Sequence, residues 1–142
     1  MEKKLSKQTN ERLLNFSLPS TMKNITIAVE KIVNFCKEHT LNIPDFALRI
    51  ALFESITNAI VHGNKIDPEK EIHISVSYND KEIDIEIEDE GEGFDWKKQL
   101  MKEEVAPDHP HGRGFFLLEM YKFKVNFNEK GNKLMLKYLF QN

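Results

Sequence analysis

The stretch IALFESITNAIVHGN, residues 50–64, constrains the fold of this 142-residue chain more than any other. Helical spacing brings Ala47, Ile50, Ala51, Glu54, Asn58 and Val61 onto one stripe. The opposite face carries Leu48, Leu52, Ile56 and Ala59. A helix apolar on both sides is expected to be buried, and Gly63 stops it. Glu54 and Asn58, one turn apart, then stand where an uncompensated polar group is costly. Either they reach solvent at the rim of a sheet, or they face something that binds them.

The flanking segments supply the sheet and a second helix. Leu14, Phe16 and Leu18 alternate as in a short strand that Pro19 ends. Ser20 or Thr21 is placed to cap a helix with apolar positions Ile25, Ala28, Val29, Ile32 and Cys36, fraying near His39. The NIPD turn offers Asp45 as cap for the polar-bearing helix. Ile72, Ile74, Val76 and Tyr78, then Ile83, Ile85 and Ile87, alternate with polar residues as a hairpin with one buried face. After the short helix GFFLLEMYK, Phe123, Val125 and Phe127 pair across NEKGN with Leu134, Leu136 and Tyr138. The expected fold is α+β: a two-layer sandwich of a mixed, mostly antiparallel sheet with three helices on one face.

At this length one domain suffices, with residues 1–12 a flexible N-terminus and 13–142 the domain. The single Cys36 allows no internal disulfide and points to a reducing compartment. MEKKLSKQTNERLLNF holds no apolar core of signal-peptide length, and no spanning segment follows, so a cytoplasmic protein away from the membrane is expected. A net charge of −3 with mixed signs gives no broad basic field for nucleic acid.

Two further motifs carry chemistry. In DEGEGFD, strand parity turns Asp89 inward with Ile83, Ile85 and Ile87, and an inward acid needs a donor such as the exocyclic amine of a purine. Gly91 and Gly93 let the backbone turn and a flat ligand approach. A lone DxGxG reads first as an ordinary turn at a sheet edge; the acidic spacing of an EF-hand is missing. In HGRGFFLLE, Gly112, Arg113 and Gly114 stand at the mouth of a helix, where free N–H groups and the helix dipole suit a phosphate. Phe115 follows them directly and, with Phe116 and Leu117, also reads as core. The GK[ST] P-loop and a post-strand GxGxxG are both absent. The amide oxygen of Asn58 is a hard ligand suited to Mg²⁺, and a carboxylate one turn away could accept a hydroxyl proton during phosphoryl transfer.

In this order, ESITNAIVHGN, DEGEGFD and GRGFFLLEMY resemble the N, G1 and G2 boxes of the GHKL (Bergerat-fold) ATPase superfamily. The TNAIVHG and GRGFFLLE forms and the small size are most similar to its anti-sigma-factor serine/threonine kinase branch. The resemblance covers residues 13 to 140 in order of elements, with its specific motifs in about a quarter of the chain. It implies Glu54 as general base, Asn58 as Mg²⁺ ligand and Asp89 as adenine reader. Gly91 and Gly93 would shape the adenine pocket; Gly112, Arg113 and Gly114 would line the triphosphate, with Phe115 beside them and a lid over about 96–111. It implies ATP and Mg²⁺ as cofactors, transfer of the γ-phosphate to a serine of a small STAS anti-anti-sigma partner, and a sigma factor held by a homodimer.

The sequence departs from that branch in its lid. EEVAPDHPHG offers acids and histidines where lysine or hydroxyl residues are usual, which shifts γ-phosphate contact onto Arg113. His109 and His111 read as solvated loop histidines, with a metal-binding or pH-sensing pair as the alternative. His62 reads as packing or locally hydrogen-bonded, and Trp96 as a lid residue. The first helix has no arginine, so no sigma-binding surface transfers to it. A second reading keeps the nucleotide as a conformational ligand of a module that sequesters a sigma factor or other regulator. A detached histidine-kinase catalytic domain is disfavoured, because no phosphoacceptor helix with a suitable His precedes the N box.

Overall fold

A computed structural model describes residues 13–94 and 118–141. Five strands form one sheet: β1 (Leu13–Pro19), β2 (Glu71–Tyr78), β3 (Glu82–Glu88), β4 (Lys124–Phe127) and β5 (Lys133–Leu139), in the order β1-β2-β3-β5-β4. Every pairing among the described residues is antiparallel, in place of the expected mixed sheet. The β2–β3 hairpin is closed by Asn79, whose side-chain oxygen accepts from the N–H groups of Lys81 (2.8 Å) and Glu82 (3.1 Å). Pro19, which cannot donate to a ladder, ends an edge strand.

Period-two alternation divides the sheet into two faces. Ile72, Ile74, Val76, Ile83, Ile85, Ile87, Leu134, Leu136 and Tyr138 are buried on one side. The other side is solvated: Lys137 bonds Glu82 (2.7 Å) and Asp84 (2.9 Å), and Ser17, His73 and Glu90 form a chain with contacts of 2.7 and 3.1 Å. Such exposed pairs add little stability.

The buried face is covered by α1 (Lys23–Glu38) and α2 (Asp45–Thr57), with a helical turn at 118–120. On α1, Ile25, Ala28, Val29, Ile32, Val33 and Cys36 face the core. Burial pushes the Cys36 thiol up to about 12, which makes it a small core hydrophobe. His39 ends α1 between the rings of Phe35 and Tyr78 and hydrogen-bonds the Tyr78 hydroxyl at 3.0 Å. Arg49 of α2 ties the helices together through Glu30 of α1 and pairs with Asp45 one turn earlier on its own helix, and these partners raise its pKa. No described helix is long and apolar enough to cross a membrane.

Several expectations change. Neither Ser20 nor Thr21 caps α1; Met22 holds that position without a side-chain bond, and the buried Ser20 hydroxyl receives the Asn64 amide at 2.7 Å instead. Pro44, not Asp45, precedes α2, and Asp45 lies in its first turn, bonded to Arg49 at 2.9 Å. α2 is not buried on all sides: Phe46 is 64% and Phe53 51% exposed. After Thr57 the helix continues as a π-helix, Asn58–Gly63, in which the N–H of Asn64 reaches back to the carbonyl of Ala59 (2.9 Å). The lid, Trp96, His109 and His111 lie outside the described residues.

Candidate functional site

Where α2 passes over the ends of β3 and β5, a cavity of about 520 Å³ opens. Its helical wall is Ser55, Asn58, Ala59 and His62, an i, i+3, i+4, i+7 stripe, closed by Gly63. The sheet supplies Ile87 and Leu134, the segment after β3 supplies Asp89, Gly91, Glu92, Gly93 and Phe94, and Phe127, Gly131 and Asn132 complete it. The π-helix falls within this wall, a device that recurs at functional sites. It hands over to a turn in which Lys65 (φ 56°) and Ile66 (φ 54°) are both left-handed, a strained geometry for side-chain-bearing residues. That turn brings Lys65 to the cavity, where Lys70 joins it.

Asp89 is the centre of the polar wall. Its Oδ1 accepts the Gly91 N–H at 2.8 Å, and two glycines give it room. A Cβ on Gly63 would lie 2.3 Å from Asp89 Oδ2, and one on Gly91 would lie 2.2 Å from the Gly63 carbonyl. Neither position tolerates a side chain without movement. Burial is the largest influence on this carboxyl and raises its pKa; the Gly91 N–H, Lys130 and Lys70 pull down, and Glu88 pushes up. The result is a partly desolvated acceptor with one oxygen satisfied by backbone.

The loop bearing Asp89 is pinned from both sides. Asn64, fully buried, donates to Ser20 Oγ (2.7 Å) and the Glu71 carbonyl (3.1 Å) and accepts the N–H of Glu90 at 2.7 Å. Asp89 donates its N–H to the Asn132 carbonyl (2.8 Å), and Asn132 Nδ2 donates to the Asp89 carbonyl (2.8 Å). Further along, two left-handed glycines let the chains cross. A Cβ on Gly93 (φ 83°) would meet Lys130 O at 2.0 Å, and one on Gly131 (φ 87°) would meet Phe94 O at 2.3 Å.

Of the sequence-derived residues, Asn58, Asp89, Gly91 and Gly93 come together around this cavity. Glu54 is half-buried on α2, one turn before Asn58, and is not among the described residues that line the cavity. Gly112, Arg113, Gly114 and Phe115 lie outside the described residues. His62, read from sequence as packing, lines the cavity. Sequence reading missed Ser55, Lys65, Lys70 and Asn132 as wall residues. Ser55 sits three before Asn58 and could have been found by its helical offset. Its hydroxyl is buried without a hydrogen-bond partner among the described residues, as expected of a group whose partner arrives in the cavity.

This arrangement fits a flat, amine-bearing heterocycle: an acceptor carboxylate at depth, apolar walls from Ile87 and Leu134, and close-set backbone where glycines remove bulk. Among the described residues no group of three His, Cys, Asp or Glu could hold a metal. No curated protein matches the sequence. The family model of the histidine kinase-like ATPase domain matches residues 18–138, and with the sandwich and the Asp-Gly cavity in place the chain belongs to that family, the ATP-binding domains of the GHKL type.

Proposed function

We propose that this ATP-binding domain is an ATP- and Mg²⁺-dependent protein serine/threonine kinase of the anti-sigma-factor type, acting in the cytoplasm on a small STAS anti-anti-sigma partner. The observation that carries the reading is the meeting of Asn58 and Asp89 in one cavity, with Glu54 one helical turn before the asparagine. Asp89 would accept the amine of adenine, and the Asn58 amide oxygen would hold Mg²⁺ riding on the phosphates. The metal's chemistry there is neutralisation of charge on the transferring phosphoryl group. Glu54 would accept the proton of the acceptor hydroxyl. A sigma factor and a homodimer belong to the same proposal.

The test incubates the protein and its Glu54→Ala variant with labelled ATP and candidate STAS proteins. Transfer by the wild type and loss of at least about a hundredfold in the variant is expected. No transfer to any candidate by the wild type counts against the kinase reading.

One observation favours a second reading. Glu54 is not among the described residues that line the cavity, as a nucleotide-gated module that sequesters a sigma factor or another regulator would permit. In that case Glu54→Gln leaves partner capture and cellular output unchanged, while Asp89→Asn abolishes both.

A further inference from the structure

The register of β3 against β5 pairs Glu88 with Lys133, so the next rung joins Asp89 and Asn132. Antiparallel rungs alternate between hydrogen-bonded and non-hydrogen-bonded pairs, and this one is of the hydrogen-bonded kind, which would ordinarily exchange two backbone bonds. Here only one is backbone to backbone, from Asp89 N–H to the Asn132 carbonyl at 2.8 Å. The other backbone donor, the N–H of Asn132, is drawn into the β4–β5 turn by Asn128 Oδ1 at 3.0 Å. That same oxygen also accepts from Gly131 (2.8 Å) and Lys133 (3.1 Å). The Asn132 side chain makes up the loss: its Nδ2 donates to the Asp89 carbonyl at 2.8 Å. Its Oδ1 is in turn held by Asn128 Nδ2 at 2.7 Å, which fixes the carboxamide plane.

We propose that Asn132, oriented by Asn128, is a positioning residue that sets the specificity of the site for a 6-aminopurine by holding the backbone of Asp89 in both directions. The inference rests on the reading of Asp89 as acceptor of the base amine. A turn that merely closed a hairpin would need Asn128 and Gly131 but no carboxamide at 132. The residue is an amide because the turn has taken its own N–H. With the second rung bond gone, the peptide after Asp89 is held only on its Glu90 N–H side, by Asn64 Oδ1 at 2.7 Å, and can tilt about that bond and take the carboxylate with it. The Gly91 N–H on Oδ1 turns with it, since that bond is internal to the loop. Asn132 also lines the cavity, so the clamp and the carboxylate share one wall.

The test compares calorimetric affinities for ATP and for inosine triphosphate, which carries a carbonyl in place of the amine. Both are measured with the full chain as wild type, Asn132→Ala and Asn128→Asp, beside melting temperatures without ligand. Wild type is expected to prefer ATP by at least about tenfold, the worth of one hydrogen bond to a charged acceptor. Asn132→Ala brings the preference to within about threefold, chiefly by weakening ATP. General loosening of the turn would lower both affinities together and keep their ratio. Asn128→Asp retains an oxygen for the three N–H groups of the turn but loses the donor to Asn132 Oδ1, and the ratio falls there as well; it decides the matter if Asn132→Ala fails to fold. A ratio left intact in the folded variants overturns the inference alone. A wild type that does not distinguish the two nucleotides overturns the reading of Asp89 and the inference with it.

Discussion

Gly63 and Asp89 meet in the wall of the cavity, so close that a Cβ on the glycine would stand 2.3 Å from Asp89 Oδ2. The relationship decides why the helix motif ends in glycine. Gly63 has no left-handed backbone to excuse it, since the positive-φ glycines among the described residues are Gly93 and Gly131. Space, not torsion, is the reason.

Gly63→Ala therefore has an informative sign. In a helix free of that contact, alanine would stabilise by about 0.5–1 kcal/mol. Against the Asp89 carboxylate it should instead cost about 1–3 kcal/mol, the usual range for overpacking. Urea denaturation measures the change, and a double-mutant cycle with Asp89→Ala should recover most of it, because the Asp89 carboxylate is no longer there to collide. Stabilisation by Gly63→Ala in the wild-type background would contradict the close approach.

Asn64 makes a second prediction. It is fully buried and joins the end of β1 (Ser20), the start of β2 (Glu71) and the loop after β3 (Glu90). Asn64→Ala leaves the Glu90 N–H and the Glu71 carbonyl short of a partner, and each such group costs about 1–3 kcal/mol. A loss of about 3 kcal/mol is expected in urea denaturation, with faster amide exchange at Glu90 than at Ile85 in the middle of β3. A change below about 1 kcal/mol would mean water replaces the carboxamide at little cost.

The extent to which the sequence revealed this site follows from the range of each interaction. Alternation made Ile72 to Tyr78 and Ile83 to Ile87 legible as strands, because a period of two needs only neighbours. The same parity carried forward to Asp89 and placed it on the inner face. Helical spacing found Asn58 but not the wall it belongs to, since the π-helix from Asn58 and the exposed Phe46 and Phe53 are set by tertiary packing that a periodicity cannot register. Gly63 read as a helix stop because its partner, Asp89, is remote in sequence. Asn132 read as a turn residue for the same reason: the competition for its N–H exists only once β5 lies beside β3.

Asp89 supplies the third prediction, in which stability and affinity move in opposite directions with pH. Burial raises this carboxyl above the ordinary aspartate value of about 3.9, so in the folded chain it holds a proton that the unfolded chain has already released. Its contribution to stability is fully present below the unfolded pKa and is lost as pH rises through the folded one. The nucleotide has the reverse preference, because the base amine needs the ionised oxygen. Over the window just above about pH 4, wild type without ligand should lose stability relative to Asp89→Asn as pH rises, while its affinity for ATP increases. Asp89→Asn should be at least as stable as wild type without ligand, keep its own Oδ1 for the Gly91 N–H, and gain little or no rise in melting temperature from ATP. Denaturation and calorimetry across that window, with the variant as reference for the ligand's own titration, separate the two trends. Parallel loss of stability and affinity in Asp89→Asn would return the residue to a purely structural part in the loop.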